Sequence, residues 1–169
     1  LTFQANKETT MIANKTANEW FAEYGSSHKN KTNKLIHGFG AYHFLTILGL
    51  LWDIPAPLSL AELGFNWAYV GIAFSIAFYT LFAAKLAIGL TLFLAVCTAI
   101  LFGYSNSALA ASIPTWGMSL TLFVIAWIFQ FIGHKIEGAK PSFFKDILFL
   151  MVGPAFFMGY IYRRLGLSY

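Results

Sequence analysis

Residues 64–103 read GFNWAYVGIAFSIAFYTLFAAKLAIGLTLFLAVCTAILFG, a nearly uninterrupted apolar run whose only charged residue is Lys85. A membrane-crossing helix needs roughly 20 apolar residues, so this run has the length of two. Lys85, near its midpoint, divides it into two helices joined by a very tight turn.

Further apolar runs flank this pair. Upstream, Leu35 to Trp52 is just long enough to span and ends at Asp53, Pro55 and Pro57. Downstream, the small and polar segment Tyr104 to Thr115 reads as a loop, and Trp116 to Gly133 reads as another span. A charged segment, His134 to Asp146, precedes a last apolar run, Ile147 to Tyr162, which contains Gly153-Pro154 and is closed by Arg163 and Arg164. Near the start, Asn14 to Tyr24 sets Trp20, Phe21 and Tyr24 among polar residues, the pattern of an amphipathic helix at a membrane surface. The expected fold is therefore all-α: a polytopic membrane helical bundle of four spans, a fifth short or re-entrant apolar helix and an N-terminal interfacial helix. Residues 1–13 read as a flexible N-terminal segment without a signal-peptide pattern, Met11 offers a natural start, and 14–169 form one integral-membrane domain.

Composition agrees with this reading. The chain is 58% hydrophobic and only 11% charged, where soluble domains carry about 25% charged residues. Its net charge of +4 comes from residues at the ends of apolar runs, not from a basic stripe with exposed aromatics, so nucleic acid is not expected as a partner. The single cysteine, Cys97, lies inside an apolar run and reads as a small packing residue.

Basic residues orient the bundle. Lys29, Lys31 and Lys34 place the start of the first span in the cytoplasm, and Asp53 and Glu62 belong to an outer loop. Lys85 then falls inside, the Tyr104 loop outside, and Lys135, Lys140 and Lys145 inside. A fifth span would put Arg163 and Arg164 outside, which favours a re-entrant or interfacial course for 147–162.

This orientation gathers His28, His37, His134 and Glu137 on the cytoplasmic face, at the mouths of the first and fourth spans. Imidazole with carboxylate suits iron, zinc or manganese, and an alternative is that interfacial histidines bond headgroups or backbone. His134 and Glu137 share a helix face, with Gln130 one turn earlier. Gln130 reads first as an interhelical hydrogen-bond partner, and contact with substrate is the other possibility. His43, on a helix continuous with His37, would lie about 9 Å deeper and face away, so it reads as a packing or cavity residue. Asn30 and Asn33 are candidate substrate contacts or turn formers. Lys135 is a candidate for an anionic headgroup or a fatty-acid carboxylate. No GxSxG, phosphate-binding glycine loop or HExxH occurs.

Two segments resemble a known family: Glu19 to Tyr24 with His28-Lys-Asn30-Lys-Thr-Asn33-Lys-Leu-Ile-His37, and Gln130-Phe-Ile-Gly-His134-Lys-Ile-Glu137 followed by Val152-Gly-Pro154. Both are similar to the membrane family that includes the fungal endoplasmic-reticulum 2-hydroxy fatty acid dioxygenase, over most of the chain from Trp20 to Leu165. The resemblance implies an Fe(II)-dependent oxidation in which O2 is co-substrate and a 2-hydroxy fatty acid is shortened by one carbon. It implies His28, His37 and His134 as iron ligands, with Glu137 a fourth ligand or a partner orienting one. Lys31 departs from the proline usual in the family, and the loop Tyr104 to Thr115 lacks a histidine found there in the fungal enzyme. The expected site is the inner membrane of a bacterium or the endoplasmic reticulum of a eukaryote. The competing readings are a lipid-binding or scaffold membrane protein without catalysis, and a zinc-dependent membrane hydrolase.

Overall fold

The structure is a computed structural model that describes residues 15–26, 29–38, 41–57, 60–138 and 143–169. Among these residues there are seven α-helices and no strand: α1 (Ala17–Ser26), α2 (Lys31–Gly38), α3 (Ala41–Trp52), α4 (Trp67–Phe82), α5 (Ala84–Ser105), α6 (Thr115–Glu137) and α7 (Phe143–Arg164). The segment expected to be flexible, 1–13, lies outside the described residues.

The long apolar run divides at Ala83, two residues before Lys85. Ala83 alone separates α4 from α5, with φ −154° and ψ 71°. Its amide donates to the Tyr79 carbonyl and its own carbonyl accepts from the Leu86 amide. At the other end of α4, Asn66 caps the helix by accepting from the amides of Ala68 and Tyr69 at 3.1 and 3.4 Å.

Two helices, α5 and α6, are long and apolar enough to cross a membrane, and α3 and α4 are apolar but shorter. Only 33% of the most apolar window of α5 and 17% of that of α6 is buried, whereas a core helix of a soluble protein is mostly buried. Ile88, Leu92, Val96 and Ile100 on α5, and Leu120, Val124 and Ile128 on α6, form exposed stripes at helical spacing.

Within the expected first span, Leu35 to Trp52, the described residues form α2 and α3, and residues 39–40 lie outside them. His37 belongs to α2 and His43 to α3.

The chain from α2 through α3 runs antiparallel to α6. Asn33 meets Glu137, His43 packs on Trp127, Gly49 faces Ser119, and Asp53 reaches Trp116. From Asn33 to Asp53 the pairs advance 20 residues along one partner and 21 back along the other. The closest approach is at Gly49, where a Cβ would collide with Ser119 Oγ. At the far end, Asp53 Oδ2 accepts from the Trp116 amide at 3.0 Å, placing a carboxylate at the start of α6 where the helix dipole favours it.

The last apolar run forms one helix, α7, longer than expected and continuous through Pro154. It packs against α4 and α5 near the turn that joins them. Val152 and Ala155 join Tyr79, Leu86, Leu90 and the α1 aromatics in one core. Gly89 sits so close to Met158 and Tyr162 that a Cβ would lie 2.7 Å from Met158 Sδ. Proline withholds an amide from its own helix. In that turn the Tyr79 hydroxyl donates to the Met151 carbonyl at 3.0 Å. Lys85 and the α7 terminus with Arg163 and Arg164 thus share one end. The opposite loops, 53–66 and 105–116, contain Asp53 and Glu62 and no Lys or Arg.

Helix α1 starts with a capping box. Glu19 Oε2 accepts from the Thr16 amide at 2.7 Å and from its hydroxyl at 2.9 Å, and the Glu19 amide donates to Thr16 Oγ1 at 3.3 Å. The Thr16 amide, then its hydroxyl, hold the Glu19 carboxyl below the usual carboxylate range, with Lys15 adding to the effect. A lowered folded-state pKa means the cap is fully present above the unfolded value and is lost as pH falls through the folded one. Acidification should therefore release α1 at its start, seen as a red shift of Trp20 emission, and Glu19→Gln, which cannot titrate, should remove most of that pH dependence. An unchanged acid profile in Glu19→Gln would rule the cap out as its cause.

Candidate active site at the α2–α6 junction

Helix α6 extends one turn beyond the expected span and stops at Gly138, whose φ of 72° is the left-handed conformation that glycine adopts without strain. Its amide closes the helix onto the carbonyls of His134 and Lys135. This stop leaves Glu137 as the last helical residue, half-buried and facing the start of α2.

The Glu137 carboxylate gathers three donors from more than 100 positions away in the chain. Oε1 accepts from the Lys29 amide at 2.7 Å. Oε2 accepts from the Asn30 amide at 2.9 Å and from Asn33 Nδ2 at 3.0 Å. Bonds to an ionised acceptor are about twice as strong as neutral ones, and the carboxylate also lies at the N-terminal end of α2, where the dipole favours it. Asn30 caps α2 itself, its Oδ1 accepting from the Thr32 amide at 2.8 Å and the Asn33 amide at 3.4 Å. Its carbonyl is thereby committed to the turn-forming role that the sequence allowed.

Asn33 is fully buried, at 0% exposure. A carboxylate only accepts, so the amide must turn its nitrogen to Glu137. Its Oδ1 then points elsewhere and has no hydrogen-bond partner among the described residues. A buried carbonyl left without a donor is costly.

His134 is buried one turn before Glu137 on α6, and Gln130 is buried one turn earlier still. Counted from the Asn33–Glu137 pair, the antiparallel register sets position 37 of α2 level with Gly133, the residue before His134. His28 lies outside the described residues, as does the side chain of His37, although the amide of the next residue, Lys29, is fixed by Glu137. Among the described residues no group of three metal-binding side chains occurs. The donor types still suit a first-row metal such as iron, because the Glu137 carboxylate ties together the two chain segments that carry His28, His37 and His134 in the sequence. Lys135 is exposed in the last turn of α6, on the outer side of this junction. His43 belongs to another place, buried against Phe123 and Trp127 between α3 and α6.

The sequence reading missed two features. One is the carboxylate clamp, two of whose three partners are backbone amides that leave no residue signature. The other is the opposed burial of His43 and Trp127, for which only the position of His43 in an apolar run gave a signal.

The fold and junction define a helical bundle with an apolar exterior, in which one carboxylate ties together two distant histidine-bearing segments. The chain belongs to the family described as 2-hydroxy-palmitic acid dioxygenase Mpo1-like, which it matches over residues 14–165. No curated protein and no solved structure matches it. The family name places the chain in the context of 2-hydroxy fatty acid dioxygenases.

Proposed function

We propose that the protein is an iron-dependent membrane enzyme that uses O2 to convert a 2-hydroxy fatty acid into the acid one carbon shorter, with CO2 and water. The observation that carries this reading is the Glu137 clamp, which joins the two segments bearing the family-like motifs. His28, His37 and His134 would hold the iron, which when bound supplies O2 activation next to the carbon–carbon bond to be cleaved. Glu137, with its oxygens engaged by three donors, acts as the residue that positions these segments. Asn33 Oδ1 accepts a hydrogen bond from the substrate hydroxyl. Gln130 lines the same face of α6, and Lys135 draws the fatty-acid carboxylate to the site from the headgroup layer.

The exposed apolar stripes of α5 and α6 support a course through lipid, where the shorter apolar α3 and α4 would join them and where the acyl chain is already dissolved. Helix α7 then lies along the cytoplasmic interface, so Arg163 and Arg164 stay on the side of Lys85 and the positive-inside pattern holds throughout. The membrane is the inner membrane in a bacterium and the endoplasmic reticulum in a eukaryote.

Metal analysis of protein purified anaerobically in mild detergent, with His134→Ala alongside, tests the proposal. We expect about one iron per chain, lost in the variant, and O2 uptake with 2-hydroxypalmitate but not with palmitate. Stoichiometric zinc would redirect the reading to hydrolysis. No metal after incubation with Fe(II) would leave a lipid-binding scaffold.

A further inference from the structure

All the buried polar residues described, except Ser75, lie on α2, α3 or α6. Most have an evident partner or belong to the junction above, and His43 does not. It is 3% exposed, and neither Nδ1 nor Nε2 has a hydrogen-bond partner among the described residues. Facing it from α6, the buried indole Nε1 of Trp127 has none either. The two rings stand edge to face, 6.3 Å apart at 84°, and Phe123 closes one side at 6.0 Å from the imidazole.

Three unmatched buried nitrogens on two rings in edge-to-face contact are not explained by packing, because a buried indole N–H usually finds an acceptor. A neutral imidazole supplies one donor and one acceptor, and the indole supplies one donor. The rings against His43 are Phe123 and Trp127, which carry no charge to balance an ionised ligand. Only a small neutral group that both accepts and donates matches this set.

We propose that His43 and Trp127 form a second binding site for a neutral hydroxyl group, either a water molecule or an alcohol oxygen on a lipid chain. Trp127 lies seven residues before His134 on α6, about 10 Å deeper and on nearly the same helix face. A chain anchored by its head at the α2–α6 junction would bring a mid-chain hydroxyl to this depth. The alcohol source therefore rests on the proposed fatty-acid site, and the water source does not.

The test is made on the full-length protein in perdeuterated detergent, with indole-15N-labelled tryptophan and the Trp127→Phe variant to assign the signal. A cross-peak between the Trp127 indole proton and water supports the water source. For the alcohol source, binding of palmitic acid carrying one mid-chain hydroxyl is compared with binding of palmitic acid. A preference of about five- to tenfold for the hydroxylated acid, lost in His43→Phe, supports it. Absence of both signals overturns the proposal, whatever the stability of the variants. A water cross-peak in a protein that neither binds iron nor consumes O2 would sink the dioxygenase reading and leave this site standing.

Discussion

Glu137→Ala is expected to lower iron affinity by about 10- to 100-fold while leaving the helical bundle intact. The reason is that the three donors differ in their access to water. Lys29 and Asn30 are exposed, so solvent replaces the carboxylate at their amides. Asn33 is fully buried, so its Nδ2 would lose its acceptor without replacement, at about 1–3 kcal/mol. That penalty drives Asn33 to reorient, frees the start of α2, and loosens the histidines on either side of it. Glu137→Gln should fall between, since an amide offers one accepting oxygen and turns a donor towards donors. The readout separating positioning from ligation is Fe(II) titration of activity. A positioning residue gives a right-shifted curve that excess Fe(II) largely restores, and a lost ligand gives a low plateau and an altered iron spectrum. Wild-type iron affinity and activity in Glu137→Ala would end the clamp's role.

The second large effect is expected at Gly49. A Cβ there collides with Ser119 Oγ, lies 2.9 Å from Ser119 Cβ and 3.1 Å from Leu101 Cδ2. Overpacking of this kind costs about 1–3 kcal/mol, so Gly49→Ala should lower the unfolding temperature in detergent by roughly 3–10 °C. Gly49→Leu should be worse, because α3 and α6 must move apart and the register between His43 and Trp127 is lost with them. Ser119→Gly removes both nearest atoms and should recover most of the loss in Gly49→Ala. Additive effects in that double variant would show that the two residues do not share the close approach.

The apolar runs were legible in the sequence because burial in lipid demands uninterrupted composition. The two-helix reading of 64–103, the amphipathic α1 and the polar 104–115 connection rest on that demand. The odd placement of Arg163 and Arg164 was itself the clue to α7, whose contacts run to Tyr79, Leu86 and Gly89 near the α4–α5 turn. At the junction, spacing named His134 and Glu137 but could not divide their roles. That division depends on which donors reach the carboxylate, and two of the three are main-chain groups. Asn33 carried no mark of full burial in a stretch as polar as 25–34.

The one-residue connection at Ala83 also bears on how the protein is made. Helix α4, at 16 residues, is about 24 Å long, less than the roughly 30 Å hydrocarbon core of a bilayer. Followed by a single residue, it has no tether on which to wait for its neighbour. In the proposed topology α4 and α5 must leave the translocation machinery together, as a preformed hairpin, and the shorter helix enters the bilayer on the hydrophobicity of the longer one. Biogenesis of this chain then proceeds by paired insertion rather than helix by helix.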